Sequence, residues 1–353
     1  MADHDIVVVG ASAGGVEALV RLVKSLPGDL PAAVFVVLHL PASATSALPE
    51  ILTRHGPLPT SHPKDGAPIE HGRIYVAPPD RHLLLKPEHV HLSTGPRENG
   101  HRPAIDPLFR SAARFFGSRT VAIVLSGALD DGTAGLVAVK REGGVTMVQD
   151  LDDALYQGMP SSAIEHNRVD RVLPAHAIAG EIARLAGHRD AEQPPAALPP
   201  ESGLLKVENG MADLSMSAVK GDNPGRPSAF SCPDCNGVLW ELHDGDLIRF
   251  RCQVGHAWSP ESLLSEQREQ LEAALWIALR SLEERASLAR RLAGPARQRG
   301  HRITAARFEE QAAESGNAAE LVRRFLIERD SLGEAWPLGD LRTKPRPAGE
   351  TER

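Results

Sequence analysis

Between residue 1 and about residue 190 the chain alternates short, continuously apolar runs with stretches of helical periodicity, and this alternation leaves few folds open. The apolar runs are IVVVG (6–10), AVFVVLH (33–39), RIYVAP (73–78), TVAIVLSG (120–127), GVTMVQD (144–150) and RVL (171–173). Apolar residues at helical spacing fall between them, at 14–26, 106–117, 133–142, 160–167 and 176–187. Strands apolar on both faces need both faces covered, and parallel neighbours need long crossovers whose helices supply the cover. The expectation for 1–189 is an α/β domain, a mostly parallel sheet with helices on both faces. LLLKPEHVHLS (83–93) has a Pro-Glu turn between two short runs and reads as an inserted hairpin.

At 353 residues the chain exceeds what one core usually holds, so further units are expected. Residues 190–229 contain PPAALPPESG and KGDNPGRPS and read as a flexible linker. A short module at 230–258 holds every cysteine. A helical region follows over 259–335, opened by Ser259 as cap and Pro260 in the first turn. Gly294-Pro295 is expected to stop its first helix, and Asn317 with Glu320 resembles a capping box opening the last one. The tail at 336–353 has the composition of a disordered segment.

Hydrophobic residues make up 42% and charged residues 24%, as in soluble globular proteins. Aromatics at 4% and a formal net charge of -7 argue against nucleic acid as a partner. No apolar run approaches the roughly 20 residues needed to span a bilayer, and MADHDIVVVG goes straight into a strand without a signal-peptide pattern. A cytoplasmic protein with no membrane insertion is the expectation. Composition leaves the oligomeric state open.

The first strand runs into a glycine-rich turn, Gly10-Ala11-Ser12-Ala13-Gly14. A dinucleotide site would have a glycine where Ser12 stands and an acidic residue where the second strand ends in His39. A phosphate-binding loop would continue into Gly-Lys-Ser or Gly-Lys-Thr, which is absent here. G-x-S-x-G at a strand-to-helix turn instead fits an exposed nucleophilic serine, with the helix N-terminus behind it as a source of N–H donors. His39 in VVLHLP and Asp131 in LSGALDDGTAG also follow strand ends. In a parallel sheet, groups beyond the carboxyl ends of the strands converge on one crevice. Ser12, His39 and Asp131 are therefore the candidate nucleophile, base and orienting acid. No cofactor is expected at this site. The chain order Ser–His–Asp differs from that of the α/β-hydrolases.

Six motifs occur in order along about 1–180: VVVGASAGGVEAL, VVLHLPAS, GRIYVAPPDRHLLL, RPAIDPLFRSAA, LSGALDDGTAG and QGMPSSAI. Together they resemble the catalytic domain of the chemotaxis protein-glutamate methylesterase (CheB-type) family. The resemblance implies a serine hydrolase that removes methyl groups from glutamyl methyl esters on methylated chemoreceptors or related signalling proteins, with glutamine deamidation in many members. By motif it assigns Ser12, His39 and Asp131 to the triad and leaves Asp130 outside it. Amides near Ala13 and Ala128 are the expected oxyanion donors, and Arg102 a contact for an acidic receptor helix. This sequence departs from the family at Ala13 and at Gly127-Ala128-Leu129, where Gly-Met-Gly is common. The usual receiver domain is not expected ahead of Ile6. The alternative is a non-catalytic signalling adaptor that keeps the fold.

CPDCNGVLWELHDGDLIRFRCQVGHAWS has C-x2-C, sixteen residues, then C-x3-H. Cys232, Cys235, Cys252 and His256 form a Cys3His set suited to tetrahedral zinc, with no position left for water, so the expected role is structural. The fold class is thus α/β plus a small zinc ribbon and a C-terminal helical region. Because the linker reads as flexible, the ribbon is expected to act as a tethered module, for localisation rather than occlusion of the crevice.

Overall fold

The structure is a computed structural model and describes residues 4–187, 203–214 and 225–331. The chain divides into two compact units, 1–266 and 267–353.

The first unit opens with β1 (Ile6–Ala11), α1 (Gly15–Lys24), β2 (Ala33–Leu38), α2 (Leu48–His55), β3 (Thr60–Ser61) and β4 (Arg73–Val76). The hairpin of β5 (His82–Leu85) and β6 (Val90–Ser93) comes next, then α3 (Ile105–Phe116), β7 (Thr120–Val124) and α4 (Thr133–Arg141). β8 (Val145–Gln149), α5 (Gly158–His166), β9 (Arg171–Leu173) and α6 (Ala175–Gly187) complete the sheet and its cover. The sheet has the order β3-β4-β2-β1-β7-β8-β9, and every pairing in it is parallel. Successive side chains of a strand point to opposite faces, and β1 follows this rule. Val7, Val9 and Ala11 join α1, α2 and α6 in one core, while Ile6 and Val8 join α3, α4 and the hairpin in the other. α2 and β3 escape the periodicity reading: the apolar stripe of α2, Leu48 and Leu52, is too short to register, and β3 is the dipeptide Thr60–Ser61.

The expected linker is corrected by the structure. Residues Gly203–Ala212 form α7, whose Leu205 is buried in the second core. Ser93 Oγ donates to the Ala212 carbonyl at 2.5 Å and Lys86 pairs with Asp213 at 2.6 Å. Proline-rich flanks hide this helix, since composition averages over a window wider than ten residues. An antiparallel four-stranded ribbon follows: β10 (Arg226–Ser231), β11 (Val238–Asp244), β12 (Leu247–Cys252) and β13 (Ala257–Trp258). It begins ahead of residue 230, inside the expected linker.

The ribbon is docked, not tethered. Glu98 pairs with Arg110 at 2.6 Å and with Arg251 at 3.1 Å. Glu208 of α7 pairs with Arg249 at 2.6 Å and Arg251 at 2.9 Å. All five side chains are buried. The two ribbon arginines are consumed in this internal ion-pair cluster.

In the second unit α8 (Pro260–Gln298), which begins in the first, is followed by α9 (Arg302–Ser331). Leu275, Leu279 and Leu282 of α8 pack with Ala319, Val322 and Leu326 of α9, and ion pairs join Arg323 to Glu283 and Arg297 to Glu309. The expected stop at Gly294-Pro295 is not made; the helix runs to Gln298. A proline so near the end breaks few backbone hydrogen bonds, and Gly300, at φ 76, turns the chain instead. α9 also runs unbroken through Asn317, with Ala312 and Ala319, one on either side, both buried. No helix among the described residues is long and apolar enough to cross a membrane. The expected tail at 336–353 lies outside the described residues.

Candidate active site

Strand order reverses between β1 and β7: the chain leaves β1 toward β2 and β4, then returns to build β7, β8 and β9 on the other side. Such a switch point opens a crevice at the carboxyl ends of the two strands. Ser12 directly follows β1, His39 follows β2, and Asp131 lies in the turn between β7 and α4. The chain turns sharply at Ser12 because Gly14, the residue capping α1, adopts φ 70, where a side chain would also meet Ser126 and Leu155. A Cβ on Gly10 would lie 2.4 Å from Ile105, so only glycine allows Ile105 to pack this close.

The structure brings the three sequence-selected residues into one hydrogen-bonded chain. His39 Nδ1 lies 3.1 Å from Ser12 Oγ, and His39 Nε2 lies 2.7 Å from Asp131 Oδ2. A carboxylate only accepts, so Nε2 carries the hydrogen and Nδ1 is left as the acceptor for the serine hydroxyl. The His39 and Asp131 side chains are 6% and 3% exposed. Asp131 sits on the N-terminus of α3, where Ile105 N–H donates to Oδ2 at 2.7 Å and Asp106 N–H to Oδ1 at 3.3 Å. Gly132 N–H and Asn99 Nδ2 complete Oδ1 at 3.0 and 3.1 Å. Burial works to raise the Asp131 carboxyl, but the His39 hydrogen bond and charge with the Ile105 amide hold it well below the usual range. Burial, then the Asp131 charge, push neighbouring Asp106 well above that range, which favours one negative charge in this pocket over two.

Two neighbours escaped the sequence reading. The segment Glu98-Asn99-Gly100-His101 is a two-residue hairpin turn, with Asn99 at φ 51 and Gly100 at φ 75. Asn-Gly is the favoured pair for such a turn, and this was the available signal. The turn stacks the His101 ring on His39, 3.8 Å between centroids. Burial and the adjacent His39 bring His101 down to about 4, so its ring is neutral near pH 7.

A cavity of about 400 Å³ opens over Ser12 and His39, with Arg97, His101 and Arg102 in its wall. Arg102 is already engaged: Nε and Nη2 bond Asp80, and Nη1 donates to the Thr94 and Gly95 carbonyls. Arg97, by contrast, is exposed at the mouth. Gly127 lies against Ser12, and a Cβ there would come within 3.0 Å of the serine Cβ. Leu129, in the loop that departs from the family pattern, adopts φ 59, a conformation that a leucine occupies at a cost. Asp130 is buried on the far side, where it accepts hydrogen bonds from Ser259 and Ser262 and makes none to His39.

Cys232, Cys235, Cys252 and His256 also come together, all donor atoms within 4.8 Å of one another. Cys235 and Cys252 sulfurs are 3.7 Å apart, and His256 Nδ1 lies 3.7 Å from Cys232 and 3.5 Å from Cys252. Tetrahedral zinc at its usual bond lengths requires about 3.8 Å between sulfurs and about 3.6 Å from sulfur to nitrogen. The donor set therefore fits such an ion without rearrangement. The Cys232 hydrogen bond, against burial and with help from His256, lowers the Cys252 thiol to about 3.

Fold and site together define a doubly covered parallel α/β protein with a serine–histidine–aspartate chain at its switch point. A family model described as CheB methylesterase matches residues 7–182. A protein-glutamate methylesterase/protein-glutamine glutaminase of Methanosarcina acetivorans is 38% identical over 194 residues, 53% of this chain and 54% of its own length. One of Anaeromyxobacter dehalogenans is 42% identical over 184 residues, 51% of each chain. The crystal structure of the Thermotoga maritima CheB methylesterase catalytic domain superposes with a TM-score of 0.50 at 35% identity, covering 98% of that chain and 52% of this one. The chain belongs to the CheB methylesterase family. It spans about half the length of the curated relatives it matches.

Proposed function

We propose that this protein is a serine carboxylesterase that demethylates glutamyl methyl esters on chemoreceptor-type proteins in the cytoplasm, and deamidates glutamine at the same centre. The observation that carries the reading is the continuous Ser12–His39–Asp131 hydrogen-bond chain at the floor of an open cavity. Ser12 Oγ attacks the ester carbonyl as its proton passes to His39 Nδ1, and buried Asp131 stabilises the resulting imidazolium. In this reading the amides of Ala13 and Ala128 serve as the donors to the developing oxyanion. Collapse expels methanol, which takes the proton from His39. Water then repeats the sequence on the acyl-serine and frees the glutamate; from glutamine the leaving group is ammonia. Nucleophile, base, acid and oxyanion donors all come from the chain, so the reaction calls for no cofactor.

Arg97 at the cavity mouth suits the acidic neighbourhood of a receptor methylation site better than Arg102, whose donors are committed to Asp80 and to backbone carbonyls. Cys232, Cys235, Cys252 and His256 hold a structural zinc, four protein ligands leaving no open position for substrate.

The test is hydrolysis of p-nitrophenyl acetate, and methanol release from methylated receptor membranes, by wild type and Ser12→Ala. Loss of both activities in the variant, with an unchanged circular dichroism spectrum, is expected. Equal turnover by the two proteins would remove the reading.

A further inference from the structure

Asn99 is 7% exposed, and its carboxamide is held from two sides. Nδ2 donates to Asp131 Oδ1 at 3.1 Å and to Asp106 Oδ2 at 3.4 Å, while Oδ1 accepts the Ser259 N–H at 2.8 Å. A carboxamide can turn over by half a rotation, and that flip would aim its oxygen at the Asp131 carboxylate. The Ser259 amide forbids the flip, because an N–H has nothing to offer a carboxamide NH2. The main chain of the turn is held by the same strand: Asn99 N–H donates to the Ala257 carbonyl at 2.8 Å and Ala257 N–H to the Arg97 carbonyl at 3.2 Å.

Ser259 is itself anchored. Its hydroxyl donates to Asp130 Oδ1 at 2.6 Å and accepts the Ser262 N–H at 3.0 Å, capping the first turn of α8. Ser262 Oγ donates to the same carboxylate oxygen at 3.0 Å. The space left among Asn99, Asp106, Asp130, Trp258 and Ser259 is about 10 Å³, no more than one water-sized probe needs.

We propose that Ser259, at the end of the ribbon, is a positioning residue for the esterase reaction: it orients Asn99, which fixes Asp131 beneath His39. The proposal rests on the reading of Ser12, His39 and Asp131 as the reacting triad. It makes the C-terminal module a constituent of the reaction centre, although it touches neither substrate nor nucleophile. A charge-assisted hydrogen bond to a carboxylate that must stay aligned through two proton transfers acts on turnover and leaves substrate binding alone.

The experiment uses the full chain and p-nitrophenyl acetate. Asn99→Ala lowers kcat about tenfold with KM within about twofold of wild type, the scale of one lost bond to a buried charge. Ser259→Pro, which deletes the N–H that orients Asn99, lowers kcat similarly, and the double variant loses no more than the worse single one. Ser259→Ala/Ser262→Ala keeps every backbone donor but frees the segment from Asp130; it lowers kcat about threefold, under 1 kcal/mol in the barrier. Ser259→Thr keeps the wild-type rate. The nitrogen-15 shifts of the His39 ring supply a readout that does not need turnover: Nε2–H in wild type, mixed tautomers in Asn99→Ala. Absence of Ser12-dependent turnover in wild type would sink the esterase reading alone, since the ring shifts still test the positioning. Wild-type kcat and an unchanged tautomer in Asn99→Ala and in Ser259→Ala/Ser262→Ala would overturn the proposal, whether or not Ser259→Pro folds.

Discussion

The imidazole of His101 lies on that of His39, with 3.8 Å between centroids and 19° between ring planes. Burial, then the neighbouring His39, lower His101 to about 4 from the 6.5 of an exposed ring. Between those values the unfolded chain binds more protons at this residue than the folded one. Its contribution to stability is therefore complete above pH 6.5 and is lost as pH falls toward 4. The shift corresponds to a contribution on the order of 3 kcal/mol. His101→Phe keeps a flat ring against His39 and cannot titrate. Urea unfolding at pH 4.5 and pH 7 should show a smaller difference for the variant than for wild type, and an identical difference would contradict the assignment.

Asp131→Asn presents a donor to His39 Nε2 in place of an acceptor. The ring then favours hydrogen on Nδ1, where it blocks acceptance of the Ser12 proton. Turnover should fall by on the order of 10⁴, as in the serine-protease precedent, with the fold retained. Activity measured on the small ester, beside a thermal unfolding curve, separates the two effects.

Metal should copurify at one zinc per chain, read by elemental analysis, and Cys235→Ser should lose it. Structural zinc supplies roughly 10–16 kcal/mol of apparent binding energy to small modules, so chelation should loosen the segment around the two knuckles at Cys232 and Cys252. Because Ala257 and Ser259 lie one and three residues after His256, chelation should also lower kcat on the small ester while leaving Ser12 in place. Full activity after complete metal removal would show that the ribbon keeps its form without the ion.

Glu208 is the shared partner of Arg249 and Arg251, buried with both. Burial opposes its ionisation, yet Arg249, Arg110 and Arg251 hold its carboxyl well below the usual range. Glu208→Ala leaves buried Arg249 with Asp244 at 3.8 Å and buried Arg251 with Glu98 alone among the described carboxylates, and should destabilise the first unit by about 3–5 kcal/mol. A denaturation midpoint unchanged from wild type would mean that water reaches these arginines.

The sheet and the three site residues were legible because both depend on short-range pattern. IVVV, VFVV and VAIV can hardly be anything but buried strands, and Ser12, His39 and Asp131 are of the residue types a triad needs, placed just past strand ends. The cysteine set was legible from spacing alone. Asn99 and His101 were not, since an Asn-Gly turn predicts its own geometry but says nothing of what packs on it. α7 was hidden by proline on either side, and its main signal, Glu208, has meaning only beside arginines 41 and 43 residues later. Gly294-Pro295 misled because a stop signal's strength depends on how much helix remains to be lost.

The ion-pair cluster draws Glu98 and Arg110 from the parallel-sheet part, Glu208 from α7, and Arg249 and Arg251 from the ribbon. Covalent continuity through 188–202 is therefore not what keeps the ribbon in place. In thermodynamic terms α7 and the ribbon meet the sheet part as one subunit meets another, through buried charges in addition to the chain between them. Across such a boundary the five buried charges form one connected set, so removing any one leaves a partner short of a counter-charge.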